Sequence, residues 1–237
     1  MERAVQLANK AVGYTSPNPS VGALIVKDGK VIGEGFTLPP GQHHAEIVAL
    51  RQAGSQAKGS ALYTTLEPCC TFGRTPPCTT AIIEAGIETV YVASIDPNPK
   101  VSGAGCETLS DSGISVVMLE ASGVTELYEG FAKYILQGIP FITAKYAMSL
   151  DGKIATASGD SKWVTGVTSR QLVQELRKKC DAILVGINTV LADDPQLTCR
   201  DDSGSPLDRQ PLRVILDSKC RFPTNSRMLQ ELSLIHI

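Results

Sequence analysis

The sequence predicts an α/β protein, a mixed β-sheet layered between helices, followed by a second and incomplete α/β domain. Three observations lead there. Short apolar runs alternate with helix-period segments through the first part of the chain, the pattern of a sheet covered on both faces. An opening hairpin makes that sheet mixed instead of purely parallel. Gly138-Ile139-Pro140 then interrupts the alternation and divides the chain into domains at 1–138 and 139–237.

Each element has a local cause. Val5, Ala8 and Val12 recur at helical spacing and give a first helix. The apolar run 21–26, the Asp28-Gly29 turn and Val31-Ile32 form the hairpin. EIVALRQA, from Ala45 to about Ala53, is helical and stops at Gly54. Residues 61–66 read as a buried strand leading into a Cys/Pro-rich loop, and Pro76-Pro77 opens a helix at about Cys78 that ends before Gly86. Strands at 89–93 and 115–119 alternate with helices at 105–112 and 126–136. The second domain offers strands at 141–147, 182–185 and 212–216 and a helix from about Thr168, which is thin for an independent core. Its last residues, LSLIHI (232–237), read as a translated adapter and not as native sequence, so the second domain is expected to be truncated.

Composition narrows the function. A hydrophobic fraction of 43% with 19% charged residues is that of a soluble globular protein. A net charge of −2, without a basic stripe interleaved with aromatics, gives no case for nucleic-acid or membrane binding. Any anionic substrate must be held by local arginines, lysines and helix N-termini. The N-terminus has no uninterrupted apolar stretch of a secretory signal, and no run approaches the roughly 18 apolar residues of a membrane span. Seven cysteines without a signal indicate a reduced, cytoplasmic protein in which clustered cysteines are metal ligands.

His44-Ala45-Glu46 lies at a helix start, Cys69 follows a strand and Cys78 starts another helix. One imidazole and two thiolates leave the fourth position of a tetrahedral zinc open, as a catalytic site requires. Zinc lowers the pKa of bound water to about 7, and Glu46 is placed to accept its proton and return it to a leaving nitrogen. H-x-E followed by P-C-x-x-C is the zinc-deaminase signature. This chain has HAE and Pro68-Cys69, but its second cysteine lies further on. A closed structural zinc site, completed by Cys70 or His43, is the alternative reading. Cys106, Cys180, Cys199 and Cys220 read as ordinary small or buried residues.

The string PCCTFGRTPPC, HAE upstream of it and Pro17-Asn18-Pro19-Ser20-Val21-Gly22 together resemble the bifunctional deaminase–reductase family of riboflavin biosynthesis, over almost the whole chain to about Arg227. The resemblance implies a cytidine-deaminase-like α/β/α sandwich followed by a dihydrofolate-reductase-like domain. It implies hydrolytic deamination of a diaminopyrimidine carrying a ribose 5-phosphate, then NADPH-dependent reduction of the ribosyl group. By position, His44, Cys69 and Cys78 would bind zinc, Glu46 would shuttle protons, and Asn18, Ala45, Arg74 and Thr75 would contact the deaminase substrate. The family commonly has histidine where this chain has Thr37, and serine–histidine at Cys70-Thr71, which bears on substrate recognition. AMSLDGKIAT, SGDSKWVTG and ILVGINTVLADDPQLTCR resemble the reductase. There, Ala147, Trp163, Thr189, Asp193 and Ser218 would contact NADPH, and Ser161, Arg177, Leu197 and Arg200 the substrate. No G-x-G-x-x-G is present, so the cofactor is not held in the Rossmann manner. Other nucleobase or nucleoside deaminases are the nearest competing reading, with the long C-x8-C loop against them. Homo-oligomer formation is compatible with the pattern.

Overall fold

Asp28 and Gly29 take φ of 49° and 74°, the left-handed pair whose twist matches a tight hairpin. They join β1 (Gly22–Lys27) to β2 (Lys30–Phe36) in antiparallel register. The structure, a computed structural model, describes residues 1–73 and 75–230. β3 (Ala61–Thr64) pairs antiparallel with the other side of β1, and β4 (Thr89–Val92) and β5 (Ser115–Met118) continue in parallel. The order is β2-β1-β3-β4-β5, the mixed sheet that the hairpin predicts.

Helices cover both faces. On one, Leu24 and Phe36 gather with Ala4 and Leu7 of α1 (Glu2–Ala11). On the other, the alternate residues Ala23 and Ile25 meet Ala45, Ala49 and Ala53 of α2 (Ala45–Ala53). The same core takes in Cys78 and Ile82 of α3 (Cys78–Glu84), Leu109 of α4 (Ala104–Asp111), and Val124 and Tyr128 of α5 (Val124–Gln137). The alanines at i, i+4 and i+8 form a stripe of small side chains along α2. Gly33 and Gly35 of β2 lie beneath it, and a Cβ there would stand 2.3 Å from the Ala49 carbonyl oxygen and 2.1 Å from that of Ala45. Backbone thus lies directly on backbone, which fixes the end of α2 that carries His44 and Glu46.

The chain divides into two compact units, Met1–Thr143 and Ala144–Ile237. In the second, α6 (Val167–Lys179) and the parallel pair β6 (Ala182–Gly186) and β7 (Leu212–Leu216) form where periodicity places them. α7 (Ile187–Asp193) has seven residues, too few for a periodic signal, and no helix is expected there from the sequence. The strand expected at 141–147 is not formed. Phe141, Ile142 and Tyr146 are 44%, 78% and 77% exposed, and an extended segment becomes a strand only with a ladder partner. One face of β6–β7 meets α7 through Ile183, Val185, Ile187, Val190 and Ile215. On the other face Leu184, Leu212 and Leu216 are exposed. No helix among the described residues is long and apolar enough to cross a membrane. The terminal stretch 232–237 lies outside the described residues.

Gly35→Ala tests the close approach. The added methyl meets backbone, which has no rotamer with which to yield, so we expect a loss at or above the upper end of the ~1–3 kcal/mol typical of overpacking. Thermal denaturation against the wild type measures it.

Candidate metal centre and catalytic site

Three segments meet beyond the carboxyl end of β3. His44 is the N-cap of α2 in extended geometry (φ −73°, ψ 161°) and makes no side-chain capping bond, so its ring is free to turn to the cysteines. Cys69 follows β3 after Thr65-Leu66-Glu67-Pro68, all four of them buried. Cys78 is the first residue of α3, fully buried, with Pro77 at the N-cap. Proline suits a helix entrance because the missing N–H belongs to a group that has no helical partner.

The ring Nδ1 of His44 lies 3.5 Å from Cys69 Sγ and 3.3 Å from Cys78 Sγ. The three ligand atoms lie within 4.8 Å of one another. Zn–S of about 2.3 Å and Zn–N of about 2.0–2.1 Å at a tetrahedral angle require N···S near 3.6 Å. The residues therefore fit zinc. Neither His43 nor Cys70 joins the group among the described residues, so the fourth ligand of a closed structural site is not supplied.

The α3 N-terminus holds the loop down, with Cys78 N–H donating to Cys69 Sγ (3.3 Å) and Thr79 N–H to the Cys69 carbonyl (3.2 Å). The hydrogen bond from Cys78 holds Cys69 down to about 4 and, together with burial, keeps the proton on Cys78. The same Cys69 sulfur raises His44 through its hydrogen bond to the ring. Glu46, in the first turn of α2, is 3% exposed. Burial, and then the nearby Cys69 thiolate, pushes its carboxyl up to about 7. A carboxyl that gains and loses a proton near neutrality is suited to acid–base work.

The other sequence candidates are distributed around this centre. Gly22 N–H donates to Thr65 Oγ1 (3.0 Å) and Thr65 N–H to the Gly22 carbonyl (3.1 Å). That exchange sets the segment before β1, with half-buried Asn18, beside the segment that leads to Cys69. Thr75 is half-buried in the loop between the cysteines, and Arg74 lies outside the described residues. Ala45 is wholly buried in the core, leaving only its backbone for a substrate. Thr37 is buried and its hydroxyl is spent on Val21, accepting from the N–H at 3.0 Å, whereas Thr71 is exposed. A depression of about 360 Å³ lined by Lys10, Tyr14, Phe36 and Thr37 contains none of the metal ligands.

In the second unit, Arg177 and Arg200 both reach Thr198, Arg177 donating to its carbonyl (2.7 Å) and Arg200 Nε to its hydroxyl (2.8 Å), beside buried Leu197. Half-buried Ser161 lies before α6. Thr189 and Asp193 are one helical turn apart on α7, which starts where β6 ends, and Gly186 at that end pairs with Leu216 of β7, two residues before exposed Ser218. Ala147 is half-buried, and Trp163 is exposed with the Arg170 guanidinium 4.5 Å from its ring centre.

Two residues escaped the sequence reading. Tyr128 of α5 reaches back to Thr65 (2.7 Å), and Glu67 is buried between the core and Cys69. The only sequence signal for Glu67 is an acid inside an otherwise uncharged run, TTLEPCC.

A mixed-sheet layered fold with His44, Cys69 and Cys78 at one end is that of the zinc deaminases, and the model of the cytidine and deoxycytidylate deaminase zinc-binding region matches residues 1–94. The model of the RibD C-terminal domain matches residues 140–235. The riboflavin biosynthesis protein RibD of Aquifex aeolicus is 51% identical over 97% of this chain, which spans 64% of that protein. RibD of Buchnera aphidicola is 40% identical over the whole chain, which spans 67% of it. The crystal structure of a Thermotoga maritima diaminohydroxyphosphoribosylaminopyrimidine deaminase/5-amino-6-(5-phosphoribosylamino)uracil reductase superposes with a TM-score of 0.88 at 47% identity, covering 98% of this chain and 66% of that one. The chain belongs to the RibD family.

Cys78→Ala removes one of the three candidate ligands, and no further His, Cys, Asp or Glu joins that group among the described residues. Zinc content after dialysis, by atomic absorption, is expected to fall to background, whereas Cys220→Ala, at an exposed position, retains it.

Proposed function

We propose that unit Met1–Thr143 hydrolyses the ring amino group of 2,5-diamino-6-(5-phosphoribosylamino)pyrimidin-4-one in the cytoplasm, with zinc held by His44, Cys69 and Cys78. The observation that carries the reading is the buried Glu46 carboxyl beside a three-ligand metal site. Zinc, when bound, supplies Lewis-acid activation of water near neutral pH. Hydrolysis puts a water oxygen on the ring carbon, breaks the C–N bond and releases the nitrogen as ammonia. A Glu46 carboxylate oxygen takes the proton that leaves the water and passes it to the departing nitrogen. Glu46 is 3% exposed, so bulk solvent has little access to that oxygen. Asn18 is assigned to the pyrimidine edge, and Thr75 with Arg74 to the sugar phosphate, where a planar guanidinium grips oxygens in pairs. The Thermotoga relative, a diaminohydroxyphosphoribosylaminopyrimidine deaminase/reductase by name, supports this substrate.

For the unit from Ala144 onward we propose an NADPH-dependent reductase for the ribosyl group. Ala147, Trp163, Thr189, Asp193 and Ser218 face the cofactor in this reading, and Ser161, Arg177, Leu197 and Arg200 the substrate. The support is that α7 begins at the carboxyl end of β6 and Ser218 follows the carboxyl end of β7, the end at which ligands bind in open α/β sheets.

Two outcomes follow. Glu46→Ala keeps its zinc but releases ammonia about 10²–10⁴-fold more slowly, measured on the zinc-loaded protein with the diaminopyrimidine ribosyl phosphate. Equal rates for variant and wild type would remove Glu46 from the chemistry. Because the Leu184–Leu212–Leu216 face of the two-stranded sheet is uncovered, the 237-residue chain is expected to bind NADPH weakly and to reduce nothing measurable. Robust NADPH oxidation with the ribosyl substrate contradicts that.

A further inference from the structure

Glu67 is 3% exposed and takes no direct part in the chemistry described above. Its carboxylate accepts four backbone N–H bonds from the distant segment 96–106. Asp96 (3.0 Å) and Gly103 (2.9 Å) donate to Oε2, and Gly105 (2.7 Å) and Cys106 (3.3 Å) to Oε1. The described residues offer it no salt bridge. A buried charge without a cation is costly unless its oxygens are saturated by donors. Here two N–H groups serve each oxygen, and two of the four belong to the first turn of α4, whose dipole favours an anion.

Packing an isolated loop needs no such arrangement; an apolar side chain would fill the space without desolvating a carboxylate. What the four bonds supply is rigidity next to Cys69. Glu67 N–H also donates to the Ser94 carbonyl (2.9 Å). Pro68, between Glu67 and Cys69, presses on Gly105 so closely that a Cβ there would stand 2.0 Å from the Pro68 carbonyl oxygen. Cys69 is therefore clamped from two sides, by the α3 N-terminus through its own carbonyl and sulfur, and by the α4 N-terminus through Glu67. Metal–ligand distances tolerate only about ±0.2 Å.

We infer that Glu67 is a positioning residue of the metal centre, setting the place of the Cys69 sulfur by tying the Cys69 segment to segment 96–106. The inference rests on the zinc reading and concerns the affinity and geometry of the bound metal. Glu67→Gln preserves size and one acceptor oxygen, but its NH₂ faces two backbone donors that it cannot satisfy. Zinc affinity, measured by competition with a chromophoric chelator, is expected to fall about 10–100-fold. The thiolate-to-metal bands of the Co²⁺-substituted protein should shift, and kcat should fall with little change in KM. Gly105→Ala, which keeps the carboxylate but forces Pro68 away, is expected to weaken zinc in the same direction and decides the matter if Glu67→Gln does not fold. Wild-type zinc affinity and Co²⁺ spectrum in either folded variant, with only the melting temperature lowered, would falsify the positioning role. A wild-type chain that binds no zinc overturns the metal reading, and the positioning role with it.

Discussion

An imidazole nitrogen can stay 3.3 and 3.5 Å from two cysteine sulfurs only if three separate segments are fixed against one another. Most of the first unit can be read as the means of doing so. The hairpin brings β2 under α2, and Gly33 and Gly35 let the helix lie on the sheet so that His44 and Glu46 project at its leading end. β3 delivers Cys69 to the same end of the sheet, and the Pro76-Pro77 entrance turns α3 so that Cys78 and its N–H groups point at Cys69. Each contribution is a backbone constraint, which the side chains of the site inherit.

The site also concentrates negative charge. Burial and the nearby Cys69 sulfur together raise Glu46, Cys78 and Asp96. Asp96 is raised chiefly by burial, although the Asn98 N–H it accepts opposes the shift. Helix N-termini and oriented amides offset part of this charge. A divalent cation bound where His44, Cys69 and Cys78 converge would offset the rest.

The sequence reading singled out His44, Cys69 and Cys78, which the structure brings together, because short-range rules placed all three at element boundaries. His44 precedes an amphipathic run, Cys69 follows an apolar strand and Cys78 follows two prolines. Hairpin, parallel strands and most helices were legible for the same reason, since their periodicity and turn residues are local. Glu67 and Tyr128 were not, because their partners lie 29–39 and 63 residues away along the chain. The strand expected at 141–147 failed for the converse reason: its apolar pattern was visible, but a strand also requires a neighbour, which local pattern does not report. Thr37 illustrates a finer limit. Its hydroxyl is committed to Val21 inside the protein, a bond that residue type alone could not reveal.

The central claim is that zinc is held by one imidazole and two thiolates, with the remaining position left to chemistry. X-ray absorption at the zinc edge of the loaded wild-type chain tests this most directly. The account predicts two sulfur scatterers at about 2.3 Å, with a single imidazole among the lighter ligands at about 2.0–2.1 Å. A third sulfur, or a second imidazole, would mean that Cys70 or His43 closes the shell and that the zinc is structural.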